Sequence, residues 1–420
     1  MLRKLIASLC ALLLLPTLAN ADTGPLTLDQ AMQLAIEKQP MLRSLGHAST
    51  AAREAAVAEA QLPDPRLRFG FQNLPINGAN ALRFDREDMT MSTLGVMQEV
   101  VRSEKREAAS HRMKAEAEQI DSEQIASARS IRRDAALAWL DTYEAQRKTE
   151  VYQRMSDEMS AERQVAQSRL STSGTSSDLF QLDTQLAMTN DKRLSALRDE
   201  RKARAMLARW IGEAARRPLA AMLPVAAPPA DRNPMQIDQH PNLETARRME
   251  GVALADVDRA KTERLQNWSW EMMYGKRQGD RSDMLTFQVS MDLPWDRANR
   301  QDRRTAEKLA LAERARELTE DRRRELTAEL DSAWADWDAA QARLQEHEQR
   351  LIPAAHARLA TRQATYSAGS APLSMVWEAR RSVLEVELEH WGILVDRQRA
   401  AVRLSYLTDH RLTASQENKK

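Results

Sequence analysis

The sequence predicts a mainly α fold with a small β part, in which duplicated long antiparallel coiled-coil helices each carry a pair of β-strands. Three observations predict it. The chain repeats itself at a long period, it contains a very long stretch without Pro or Gly, and it has four short runs of alternating apolar residues. Pro40-Met41-Leu42 returns as Pro241-Asn242-Leu243. Leu67, Phe69 and Phe71 fall on Trp268, Trp270 and Met272, and Val96 to Val100 fall on Val289 to Leu293 after a shorter loop. Further on, Ala138-Trp139-Leu140-Asp141 matches Ala333-Trp334-Ala335-Asp336, and Gly174 matches Gly369. A repeat this long points to two equivalent halves related by pseudo-symmetry, not to a short-period solenoid.

The elements follow in order. Residues 1–21 read as a secretory signal: Arg3 and Lys4, an apolar stretch from Leu5 to Leu18, then the small-residue site Ala19-Asn20-Ala21. The apolar run is too short for a membrane anchor. The first repeat is assigned to residues 22–211. Leu26-Thr27-Leu28-Asp29 opens a helix with Thr27 or Asp29 as its cap, and helical sequence runs to about Ala60 before Pro63-Asp64-Pro65 stops it. Strands are predicted over 66–72 and 89–101, with a polar loop between them. From Ser103 to Leu170 nothing interrupts the helix, which makes a rod of roughly 100 Å.

Along that rod Ile131, Ala135, Ala138, Thr142, Ala145, Thr149 and Tyr152 step by four and three, the seam of helices wound around one another. Ser and Gly residues around Gly174 end it, and a returning helix spans about Asp178 to Trp210. The returning helix is half the rod's length, so the helix of about 40–61 stacks on its end to supply the remainder. A Pro-rich equatorial connector occupies 212–239, and the second repeat is assigned to 240–412. That repeat carries strands over 267–274 and 284–293, the seam Leu326, Leu330, Ala333, Trp337, Ala340 and Leu344, and a returning helix of about Leu373 to Arg403. Residues 413–420 form a polar tail.

Four strands per chain cannot close a barrel of useful size, and open sheet edges are not tolerated in lipid. A trimer would supply twelve strands, an allowed outer membrane barrel. The competing reading is a pair of soluble hairpins capping a periplasmic coiled coil. The composition excludes other classes. With 42% hydrophobic and 29% charged residues and a net charge of +1, the chain is neither a helical membrane protein nor a nucleic-acid binder. Its one cysteine, Cys10, lies inside the signal, so the mature chain has no disulfide, thiolate ligand or lipid-bearing cysteine.

The opening Leu26-Thr27-Leu28 with Ala31, Ala35 and Pro40-Met41-Leu42, the strand pair of each half, the exit Leu293-Pro294-Trp295 and the tips at Gly174 and Gly369 resemble the TolC family of outer membrane efflux proteins. The resemblance spans nearly all of the mature chain and lies in order, duplication and spacing, not in one strong motif. It implies a homotrimer in the cell outer membrane, with a twelve-stranded β-barrel continuing into a long periplasmic α-barrel. It also implies a passive exit duct supplied by a periplasmic adaptor protein and an inner membrane pump of the resistance-nodulation-division type. The stretch from Leu351 to Gly369 with Trp377-Glu378-Ala379-Arg380-Arg381 is most similar to the heavy-metal efflux branch, which implies metal cations as cargo. Drug export and protein secretion are the alternatives within the family.

No residues here suggest an enzyme or a bound cofactor. The seven histidines are scattered and build no ligand set. His347 with Glu346 and Glu348 reads as a solvated charged face, as does Arg322-Arg323-Arg324. Met89, Met91, Met97, Met272 and Met273 read as packing. Trp268, Trp270 and Trp295 suit an interfacial girdle, and Trp139, Trp334, Trp337, Trp377 and Trp391 suit helix packing. The resemblance assigns the adaptor-contacting turns to Ser173, Gly174, Thr175, Gly369, Ser370 and Ala371. Asp183 and Glu378 stand at equal distance beyond the two tip glycines, and Glu378 falls where the family carries a carboxylate at its periplasmic aperture. Met375 replaces a second such acid. Six carboxylates from a trimer would draw cations to a narrow mouth.

Overall fold

A computed structural model describes residues 24–169, 176–224 and 232–408. Helix α1 (Leu28–Lys38) is opened by a reciprocal cap in which Thr27 Oγ1 accepts from the Gln30 amide and Gln30 Oε1 accepts from the Thr27 amide, both at 3.2 Å. Pro40 then divides the predicted helical stretch. The ring disfavours helical geometry in the residue before it, Gln39 is extended, and α2 (Pro40–Glu59) restarts with Pro at its first position. The rod is α3 (Ser103–Arg169), 67 residues long, and α4 (Ser176–Ile211) returns along it. In the second half α5 (Pro241–Thr262) matches α2, and α8 (Leu373–Thr408) matches α4 residue for residue in length at 36.

The second rod contains an irregularity the first lacks. Helix α6 (Gln301–Glu346) passes through a π turn at His347–Leu351, where the Ile352 amide donates to the His347 carbonyl, before α7 (Ile352–Ser367). Pro353 is the physical reason. Its ring has no N–H and crowds the carbonyl four residues back, so the helix widens by one residue ahead of it. The turn also overturns the sequence expectation for His347, which is buried at 4% exposure, whereas Glu346 and Glu348 are exposed.

Helices α2 and α4 share α3 as predicted: Gln124 on α3 donates to the Leu42 carbonyl of α2 at 3.0 Å, and farther along Ser156 donates to Asn190 of α4 at 2.9 Å. The seam is buried. Ile131, Ala135, Ala138, Thr142 and Ala145 lie inside, as do Leu326, Leu330, Ala333, Trp337, Ala340 and Leu344, while Thr149 and Tyr152 are half-buried. At the equator Leu26 bridges Leu219, and Trp139 Nε1 donates to the Leu26 carbonyl at 3.0 Å, which ties the connector to α3.

Strands β1 (Arg66–Gln72), β2 (Met91–Val100), β3 (Trp268–Arg277) and β4 (Met284–Met291) form one antiparallel sheet in the order β1-β2-β3-β4. β1 lies where the sequence places it. β2 and β4 are slightly shorter than expected and β3 runs on to Arg277. The two halves meet at the β2–β3 pairing, where Val100 opposes Trp268.

Candidate functional site

The register sorts the sheet into two faces, because directly opposed residues share a face. Leu67, Val96, Met272 and Phe287 form one row and Phe69, Leu94, Tyr274 and Leu285 the next. These rows are exposed to an unusual degree, with Phe69 at 83% and Leu285 at 70%. The opposite face carries Arg68, Gly95, Met273 and Thr286 in one row and Met97, Glu271 and Gln288 in the next. On it Arg68 reaches across to Glu271 at 3.0 Å. Gly275 is needed here, since a Cβ would collide with the Met91 sulfur that fills the space above it. Neither β1 nor β4 has a partner on its outer side among the described residues. No described helix is long and apolar enough to cross a membrane.

At the far end of the rods, the tip around Gly369 is a Schellman closure. Gly369 adopts a φ of +72°, its amide donates to Tyr366 at 2.9 Å, and the Ser370 amide donates to Thr365 at 3.1 Å. Ser370 Oγ donates to the same carbonyl at 2.9 Å, and Ala371 follows before Pro372. Gly369 and Ser370 are exposed. The other predicted tip, Ser173, Gly174 and Thr175, lies outside the described residues, as do the signal at 1–21 and the tail at 413–420.

Asp183 and Glu378 differ in their surroundings. Asp183 is ion-paired with Arg163 of α3, whose guanidinium is held further above its ordinary pKa by that hydrogen bond. Glu378 is exposed and has no ionic partner among the described residues. It lines a groove between the two hairpins together with Met155, Glu158, Leu182, Trp377 and Leu384. Met375 is exposed and accepts from Arg362 at 3.4 Å.

Beside Glu378 stand residues that sequence reasoning missed. Arg380 pairs with Glu162 and lies 3.8 Å from Glu158, so it fastens α8 to α3. Arg154 does the same with Glu387 at 2.7 Å. Burial raises the Glu162 carboxyl above the ordinary range, against the opposing pull of Arg380. Nothing in the linear pattern marks these residues, because their partners are more than two hundred positions away. Near the equator, Arg399 joins Asp141 at 2.6 Å and Glu144 at 2.7 Å. Burial opposes ionisation of Glu144, but Lys148 and Arg399 overcome it and hold the carboxyl below its ordinary pKa. No group of three or more His, Asp and Glu among the described residues has the geometry of a metal site.

The described residues thus form an open sheet that is apolar on one face, joined to two long helical hairpins with a duplicated plan. The second half carries the sequence evidence, since residues 241–409 match the outer membrane efflux protein family. Solved structures share the fold over most of the chain. A membrane protein from Pseudomonas aeruginosa superposes with a TM-score of 0.75 at 15% identity, covering 91% of this chain and 92% of that one. CusC superposes at 0.76 with 14% identity and 91% coverage of each chain. VceC, an outer membrane protein of Vibrio cholerae, gives 0.71 at 15% identity, covering 91% of this chain and 96% of its own. No curated protein matches the sequence significantly. The second half of the chain thus matches the outer membrane efflux protein family, and the chain as a whole shares the fold of these solved structures.

Proposed function

We propose that this chain is the exit duct of a tripartite efflux system, a homotrimer that carries cargo passively from the periplasm to the exterior. The observation that carries the reading is the four-stranded sheet with one apolar face, one polar face and two unpaired edges. Three copies closing edge to edge satisfy every strand, turn the apolar face to lipid and leave the polar face lining the lumen. The repeats at 22–211 and 240–412, joined by the connector at 212–239, then contribute twelve helices to the periplasmic barrel. Residues 1–21 serve as the export signal.

In this reading the 73–90 and 278–283 loops face the outside, and the tip turns Ser173 to Thr175 and Gly369 to Ala371 meet a periplasmic adaptor linked to an inner membrane pump. CusC changes conformation as it folds and forms a transmembrane channel, and the shared fold supports a channel here. Metal cations are the cargo we favour, on the likeness of the second tip segment to the heavy-metal branch. At the aperture Glu378 supplies the unpaired charge, because Arg163 neutralises Asp183. A trimer would then present three free carboxylates in place of six.

Mass measurement in mild detergent tests the assembly. A heat-modifiable trimer supports the duct, and a soluble monomer favours the periplasmic coiled-coil alternative. Tags in either loop should be labelled on intact cells. Deleting the gene and comparing tolerance of copper, zinc, cadmium and organic toxicants tests the cargo, and unchanged tolerance of every metal would end the metal reading in favour of a drug or secretion duct. Replacing Glu378 by Ala should lower cation selectivity in a planar bilayer.

A further inference from the structure

The apolar face of the sheet continues past the end of β4. Leu293 and Trp295 keep its two-residue alternation beyond Met291 and are 70% and 95% exposed. Trp268, opposite Met291, stands beside them. This is the end of the sheet at which every strand connects to a helix, so on the duct reading, which this inference assumes, it is the periplasmic rim of the barrel.

Directly after Trp295 come Arg297, Arg300 and Arg303, all exposed and none with an acidic partner among the described residues. The acids nearby are engaged or face elsewhere. Asp302 holds Arg264 at 3.0 Å, Asp296 accepts from the Asn299 side-chain amide at 3.0 and 3.1 Å, and Asp292 falls on the polar alternation. Arg304 is paired with Glu263 at 2.9 Å and is not part of the set. The three free cations also sit at the positive end of α6, where they are unfavourable unless an anion offsets them. An aromatic side chain at headgroup depth followed by guanidinium groups that bind phosphate oxygens in pairs suits a phospholipid.

We propose that this rim is a binding site for an anionic phospholipid of the periplasmic leaflet, with Trp295 seated among the headgroups and Arg297, Arg300 and Arg303 on the phosphate. The arginines make the site selective for charge, which an aromatic girdle alone is not.

Native mass spectrometry of the full chain in mild detergent, titrated with phosphatidylglycerol or phosphatidylcholine, tests it. The trimer should retain phosphatidylglycerol more strongly, by on the order of a hundredfold from three interfacial cations. The combined variant R297Q/R300Q/R303Q should remain a heat-modifiable trimer and lose that preference, W295A should weaken both lipids, and millimolar inorganic phosphate should displace neither. A trimeric variant that keeps the wild-type preference, or a wild type that binds the two lipids equally, overturns the site. A chain that never forms a trimer overturns the duct reading itself and this inference with it.

Discussion

At the start of α5 the imidazole of His240 does two jobs: Nδ1 accepts from the Asn242 amide at 3.2 Å, which leaves Nε2–H to donate to the Tyr406 carbonyl at 3.2 Å. Burial, aided by the charge of Arg129, lowers its pKa to about 4. Since the unfolded value is about 6.5, the unfolded chain binds the extra proton between these limits. The stabilisation is therefore fully present above pH 6.5 and is lost as the pH falls toward 4, up to about 3 kcal/mol. Melting of the wild type should drop between pH 7 and pH 5 by more than that of H240Q. Parallel pH profiles for the two would sink the idea. Leu330 tests the seam in the same way. It is 2% exposed among large neighbours, so L330A should cost about 2–5 kcal/mol in chemical denaturation.

Among the elements, the two hairpins are fastened near their tips by Arg380 to Glu162 and Arg154 to Glu387. These links join α8 to α3, so breaking one loosens one hairpin against the other near the tips without unfolding either. In the proposed duct R380A should shorten the closed times in a planar bilayer, while R381A, whose partner Glu385 lies on its own helix at 3.7 Å, should leave them unchanged. Mild acidification should act as R380A does. Glu162 is held above the ordinary carboxylate range, so it takes up a proton before exposed acids and releases Arg380 as the pH falls. E162Q should have lost this acid response; an E162Q channel that still opens on acidification assigns the response to another group. How much of this was legible follows from periodicity. The seam appears in the sequence because every residue on it repeats at helical spacing, whereas the Arg380 link depends on which helix faces which.

For the whole molecule, the sheet is the decisive part. Phe287 and Gln288 are neighbours on β4 yet belong to opposite faces, since Phe287 opposes Met272 and Gln288 opposes Glu271. In the proposed barrel F287R should impair assembly by about 2–4 kcal/mol, the cost of a cation on a lipid face near mid-membrane. Q288R, on the face that would line the lumen of the proposed duct, should assemble normally and alter conductance. Equal tolerance of both substitutions in a heat-modifiability assay would contradict the assignment of the faces.

The sequence by itself determined the duplicated plan, the length of the first rod and the alternating strands. These are consequences of local periodicity. Only the tertiary structure decided that β2 and β3 join the halves, that His347 turns inward at a π turn ahead of Pro353, and that Asp183 is neutralised by Arg163 while Glu378 stays unpaired. Those outcomes depend on contacts between residues far apart in the chain. The same side chain is a solvated charge or a buried partner according to what the other helix places beside it.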